Sequence, residues 1–102
     1  MKVPDEPKEI KRKIQMFASE FKDHIKSESL AVWMFNLLPK YLWDSWKLEL
    51  KAQGLSWKEF LKVLSRHTEE FVDWALRGGE WEKVVKKLIN ELEKTKKLSN
   101  YF

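Results

Sequence analysis

The sequence contains no cysteine, which excludes disulfide staples, thiolate metal sites and thiol nucleophiles. Glycine is nearly as scarce. The only three, Gly54, Gly78 and Gly79, fall where helices would end, so there is no Gly-rich loop to cradle a phosphate. Long apolar runs are missing too. The most apolar stretch, Leu30 to Leu38, spans nine residues with one polar side chain, far short of the roughly 20 that a membrane-spanning helix needs. No segment alternates β-branched with polar residues, and no Asn-Gly or Asp-Gly turn is present, so nothing reads as a strand or hairpin. The opening Met1 to Lys13 is polar and carries Pro4 and Pro7, unlike a signal peptide. A cytoplasmic location is therefore expected.

What the chain does have is charge and aromatic rings. Its 102 residues are 35% charged, with a formal net charge of +4. Residues 1–53 carry 10 basic and 8 acidic groups, and residues 54–102 carry the same numbers, so neither half is a dedicated basic arm. Only three basic residues are Arg, the better side chain for forked contacts to phosphate or guanine. The Lys and Glu excess, with little Gln or Asn, matches the bias of hyperthermophile proteins and points to a thermophilic source. Six Trp and six Phe give one domain, residues 1–102, a credible core without staples.

Apolar spacing predicts an all-α bundle of about five helices. Ile10, Ile14, Phe17, Phe21 and Ile25 form a stripe with steps of three and four, giving an amphipathic helix over 6–26. The apolar segment 28–38 follows and is expected to end before Pro39, which disfavours helical geometry in the residue preceding it. This helix, with its apolar core at 30–38, is expected at the centre of the bundle. Pro39 then suits the first turn of a helix over 40–53, ended by Gly54 as a left-handed terminator. Leu55-Ser56-Trp57-Lys58-Glu59-Phe60 is the best local signature. Ser56 and Glu59 have capping-box spacing, and Leu55 and Phe60 occupy the hydrophobic-staple positions. A helix over 57–77 is predicted from there, closed by Gly78-Gly79, and a last one over 80–97 presents Trp81, Val85, Leu88 and Leu92 on one face.

Few residues offer chemistry. His24 lies one turn from Glu20 and Glu28, and His67 has Glu70 three positions on, but the order and number of carboxylates do not match a bundle metal site. Exposed His–Glu neighbours are expected instead, with no metal and no other cofactor. The Ser and Thr residues fall mainly at predicted caps or polar faces rather than beside a base, so no catalytic residue is assigned and no enzyme is expected. The tryptophans stand out, because six large rings cannot all enter so small a core. Trp33, Trp43 and Trp46 can line one groove, and Trp57 and Trp81, each at the start of its helix, are expected to be partly exposed. With Tyr101 and Phe102 these are the candidate interface residues. Lys8, Lys11, Arg12 and Lys13, and Lys83, Lys86 and Lys87, are the candidate nucleic-acid contacts.

Two resemblances follow. The segment Gly54-Leu55-Ser56-Trp57-Lys58-Glu59-Phe60-Leu61-Lys62-Val63-Leu64-Ser65 resembles the opening of a phage-repressor helix-turn-helix, where Gly-Leu-Ser leads into the first helix. It departs from that pattern at Leu61, where a small residue is expected, and at Ser65, where the turn glycine is expected. The resemblance implies that Arg66, His67 and Thr68 begin a base-reading helix. In composition, Trp-rich, Lys/Glu-rich and free of cysteine, the chain resembles small helical proteins carried by plasmids and viruses of hyperthermophilic archaea. The first functional reading is a non-enzymatic helical interaction module, binding a protein partner or a second copy through an exposed aromatic patch. The second is a DNA-associated accessory or regulatory protein of a mobile element. The third is a peripheral membrane binder with a Lys-flanked amphipathic helix.

Overall fold

The computed structural model describes residues 1–20, 33 and 36–99, with side chains as far as residue 95. Among the described residues there are five α-helices and no strand: α1 (Lys8–Glu20), α2 (Leu37–Ala52), α3 (Trp57–Ser65), α4 (Thr68–Leu76) and α5 (Trp81–Ser99). No helix among them is long and apolar enough to cross a membrane. The all-α expectation holds, but the five helices are not the five expected.

The predicted helix 57–77 is two helices. After Val63 the bonding pattern tightens, with Arg66 N donating to Val63 O and His67 N to Leu64 O. These three-residue steps close α3. Thr68 Oγ1 turns back to Ser65 O at 2.7 Å, and Phe71 N to His67 O resumes the helical ladder. The apolar stripe allows this break, because Ser65 to Glu70 are six consecutive polar residues.

The boundary at Pro39 also moves. Asn36 adopts a left-handed conformation, φ 58°, which its short polar side chain tolerates, and its N–H donates to Trp33 O at 2.8 Å. The chain enters α2 at Leu37 rather than at residue 40. Pro39 is thus third in the helix, where no intrahelical N–H donor is needed. Of the predicted helix 28–38, Leu37 and Leu38 belong to α2, and residues 28–32, 34 and 35 lie outside the described residues. The first helix begins at Lys8 rather than at residue 6, and the predicted continuation to 26 again lies outside the described residues. The last helix runs two residues past the predicted end, to Ser99.

Helix ends follow local chemistry. Ser56 caps α3 with the full capping box, its Oγ accepting from Glu59 N at 3.2 Å while Glu59 Oε1 accepts from Ser56 N. The staple residues Leu55 and Phe60 are both buried. Gly54 leaves α2 with φ 79°, and Gly78 leaves α4 with φ 78°. Gly54 N donates to Lys51 O and Leu55 N to Leu50 O, both at 3.0 Å, the two bonds of a Schellman end, while Gly79 N donates to Asp73 O at 2.9 Å.

Packing places α5 at the centre of the described structure, because α3 and α4 both lie on it; α2 packs on α3 and α1 on α4. The α5 face is Trp81, Val84, Val85, Leu88, Ile89 and Leu92, all buried, and it includes all four expected positions. Burying a large apolar side chain stabilises by about 1.5–3 kcal/mol, so this one face outweighs any cap. Among the described residues, Trp46, Trp74, Phe60 and Phe71 are the largest fully buried side chains. α1 contributes only Ile14 as a fully buried residue, and its Gln15 Nε2 bonds Ala75 O of α4 at 3.0 Å.

Candidate interaction site

The tryptophans divide into two sets, and the N-terminal segment accounts for the division. Residues 1–7 form no regular element but lie as a strap over aromatic donors from three helices. Trp46 Nε1 of α2 donates to Lys2 O at 2.7 Å, and Trp81 Nε1 of α5 to Pro4 O at 2.8 Å. Tyr41 Oη donates to Asp5 O at 2.6 Å, and Trp74 Nε1 of α4 to the Glu6 carboxylate at 3.0 Å. Lys11 Nζ lies 3.9 Å from the same carboxylate and 5.7 Å from the Trp74 ring centroid. Burial, and then the charge of Asp5, push the Tyr41 phenol above its ordinary pKa of 10.0.

Four such bonds contribute about 1 kcal/mol each. Fixing the backbone of one residue costs about 1–2 kcal/mol, so the bonds alone do not hold the strap. Met1 and Val3, packed against the core, supply apolar burial, and Pro4 and Pro7 lessen the entropy lost on ordering.

Two expected interface residues are thereby corrected. Trp46 is 1% exposed and Trp81 6% exposed, with their N–H groups turned to the strap. An indole at the start of a helix points inward here because the Trp81 ring packs tilted against Trp74 and edge-on to Phe71, with centroids 4.6 Å and 6.0 Å away. Trp33 is half-buried against the core. Tyr101 and Phe102 lie outside the described residues.

Trp43 and Trp57 behave differently. They meet edge to face, centroids 5.5 Å apart at 85°, with Phe60 beneath them at 5.4 Å and 6.0 Å. Both are half-buried. Neither indole N–H donates to an acceptor among the described residues, unlike those of Trp46, Trp74 and Trp81. With Asn36, Lys40, Asp44 and Lys47 they line an open groove of about 500 Å³. Helical spacing puts Lys40, Asp44 and Lys47 on one outward face of α2, and all three are exposed. Trp43 is at the edge of that face, and the first turn of α3 brings Trp57 alongside. The groove is rich in donors and has one carboxylate, that of Asp44.

The predicted basic sets are largely paired with neighbouring acids. Arg12 bonds Glu9 at 3.2 Å, Lys83 lies 3.1 Å from Glu80, and Lys86 lies 3.0 Å from Glu82; Lys11 sits on Glu6. Lys8, Lys13 and Lys87 have no carboxylate partner among the described residues. The segment resembling a base-reading helix, α4, buries Phe71, Val72, Trp74 and Ala75. The acidic residues Glu69, Glu70 and Asp73 lie on its outer part, exposed or half-exposed.

His67 is not an exposed neighbour of Glu70 as expected. Its side chain is 12% exposed, and Nε2–H donates to Glu91 Oε2 of α5, while Arg66 Nη1 donates to Glu91 Oε1. Nδ1 is buried without a hydrogen-bond partner, and Glu70 Oε1 is 3.9 Å away. Burial raises the Glu91 pKa, but the bonds and charges of Arg66 and His67 outweigh it and hold the group below its ordinary 4.5. The nearby hydroxyls of Ser65 and Thr68 donate to backbone carbonyls, so the cluster works as a clamp between the α3–α4 turn and α5. His24 lies outside the described residues. Among the described residues no three His, Asp or Glu side chains group to hold a metal ion.

No family model, curated protein or solved structure matches this chain.

Proposed function

We propose that the protein is a non-enzymatic helical interaction module that takes a protein partner or a second copy on the Trp43–Trp57 surface. The observation that supports this reading is a pair of half-buried tryptophans lining an open groove, whose indole N–H groups meet no acceptor among the described residues. The three buried tryptophans, Trp46, Trp74 and Trp81, give their N–H to the strap, whereas those of Trp43 and Trp57 find no acceptor among the described residues. Aromatic rings with a free polar edge are the residues that anchor interfaces, since they bury large area and still require a hydrogen-bond acceptor. Phe60 holds both rings from below, which lowers the entropy lost when a partner docks.

Two measurements on the purified chain test the reading together. Light scattering over a range of concentrations reads self-association. Affinity capture with the wild-type chain and with Trp57→Ala, identified by mass spectrometry, reads a partner. The expected result is either a mass that rises above 12.3 kDa with concentration, or a protein retained by the wild type and lost by Trp57→Ala. A chain that stays monomeric and captures the same proteins with and without Trp57 contradicts it.

A further inference from the structure

We infer that the Trp43–Trp57 groove recognises an extended, acidic peptide segment of a partner protein. The inference rests on the reading of this surface as a docking site and adds the chemistry of what docks. The residues lining the groove carry two indole N–H donors, the ammonium groups of Lys40 and Lys47 and the amide of Asn36, against the single carboxylate of Asp44. Such a surface is complementary to a ligand rich in oxygen acceptors and negative charge. A helical ligand does not meet this need, because its carbonyls are engaged within the helix except at its last turn. An extended peptide carries unengaged carbonyls along its length, one residue about every 3.3 Å.

The chain itself supplies the precedent. Its own strap, Lys2-Val3-Pro4-Asp5-Glu6, is a non-helical segment bearing two carboxylates and a proline. Three indoles donate to it, two to main-chain carbonyls and one to a carboxylate, and Lys11 stands beside that carboxylate. The second indole pair, with Lys40 and Lys47 beside it, presents the same donor types with no acceptor among the described residues. The ligand class that satisfies the first set of donors is the class the second set is built to take.

The test uses the full chain labelled with nitrogen-15, in which each indole N–H gives its own signal. Trp43→Phe and Trp57→Phe assign the two signals of interest. Three probes are titrated: a short blocked peptide of Asp, Glu and Pro, the same peptide with Asn and Gln in place of the acids, and single-stranded oligothymidylate. The expected result is a saturable shift of the Trp43 and Trp57 indole signals with the acidic peptide. Affinity should fall about fivefold or more for the amide peptide, and likewise for the Lys40→Gln, Lys47→Gln double variant, as the loss of two surface charge contacts implies. Both lysines are exposed, so a melt unchanged by that double substitution confirms that the fold is intact.

Equal binding of the acidic and amide peptides overturns the acidic-ligand inference and leaves the docking surface standing. Shifts with the oligonucleotide alone overturn it in favour of a nucleic-acid interface. A peptide that moves the Trp46, Trp74 and Trp81 signals instead has displaced the strap, which also overturns it. If no probe moves the two signals and Trp57→Ala changes neither capture nor mass, the docking reading itself falls.

Discussion

The indole N–H of Trp81 donates to the carbonyl of Pro4 at 2.8 Å, across 77 positions of the chain. That bond ties the start of the sequence to the first turn of its last helix. With the parallel bonds from Trp46 and Trp74 it makes tryptophan, elsewhere a filler of cores, the fastener of a non-helical strap. It also explains why a chain with six tryptophans shows so few of them to solvent.

Trp81→Phe keeps an aromatic ring but removes the donor and leaves the Pro4 carbonyl without its partner. Stability should fall by about 1–3 kcal/mol. Trp57→Phe, which breaks no hydrogen bond among the described residues, should cost about 0.5 kcal/mol or less. Urea denaturation midpoints of the two variants check the contrast, and equal losses would contradict the division of the tryptophans.

Glu91 fastens the α3–α4 turn to α5 by accepting from Arg66 and His67. Its pKa lies below 4.5 in the folded chain, so its stabilising contribution is fully present above the unfolded value and is lost as pH falls through the folded one. Glu91→Gln should cost about 1–2 kcal/mol at neutral pH, and less at a pH low enough to protonate Glu91 in the folded wild type. Melting temperatures of the two chains plotted against pH should therefore converge towards acid. Parallel curves over that range would show that the clamp carries no charge-dependent stability.

Gly79 packs against backbone. A Cβ there would lie 3.0 Å from Trp74 N and 3.1 Å from Asp73 C, atoms of a helix end that do not move independently. Gly79→Ala should destabilise by about 1–3 kcal/mol. Thermal melts check this, and a neutral or stabilising result would mean that the α4 end shifts freely.

The cap at Ser56 is the most local device in the fold. Ser56→Ala should cost about 1 kcal/mol, measured by the same melts, and no change would mean that the capping box contributes nothing net.

That cap, with Glu59, Leu55 and Phe60, was fully legible in the sequence, because all its partners lie within six residues. So were the α5 face and the terminators Gly54 and Gly78, which depend on periodicity and on backbone freedom at single positions. The division of 57–77 was missed because Phe60, Leu64, Phe71 and Trp74 keep helical spacing across the break. The signal was the six-residue polar gap from Ser65 to Glu70, where a continuous helix would place an inward apolar residue.

The strap could not be read from pattern at all. Its bonds join backbone carbonyls to indoles 44 and 77 positions away, and a carbonyl has no side-chain identity to betray it. Only Met1, Val3 and Pro4, apolar in an otherwise polar lead, hinted that this segment packs. The aromatic site was legible as a class and only partly by member, since Trp57 is partly exposed as expected and Trp81 is buried. Composition required some rings to stay outside, but which ones depended on where the strap lay, and it took Trp46 and Trp81 inward while leaving Trp43 and Trp57 at the rim.

Hydrogen exchange of the indole N–H groups, followed by NMR in deuterated water, tests this division most directly. Protection of Trp46, Trp74 and Trp81 with rapid exchange at Trp43 and Trp57 is the predicted result. Equal protection of all five, or rapid exchange at Trp81, would contradict it.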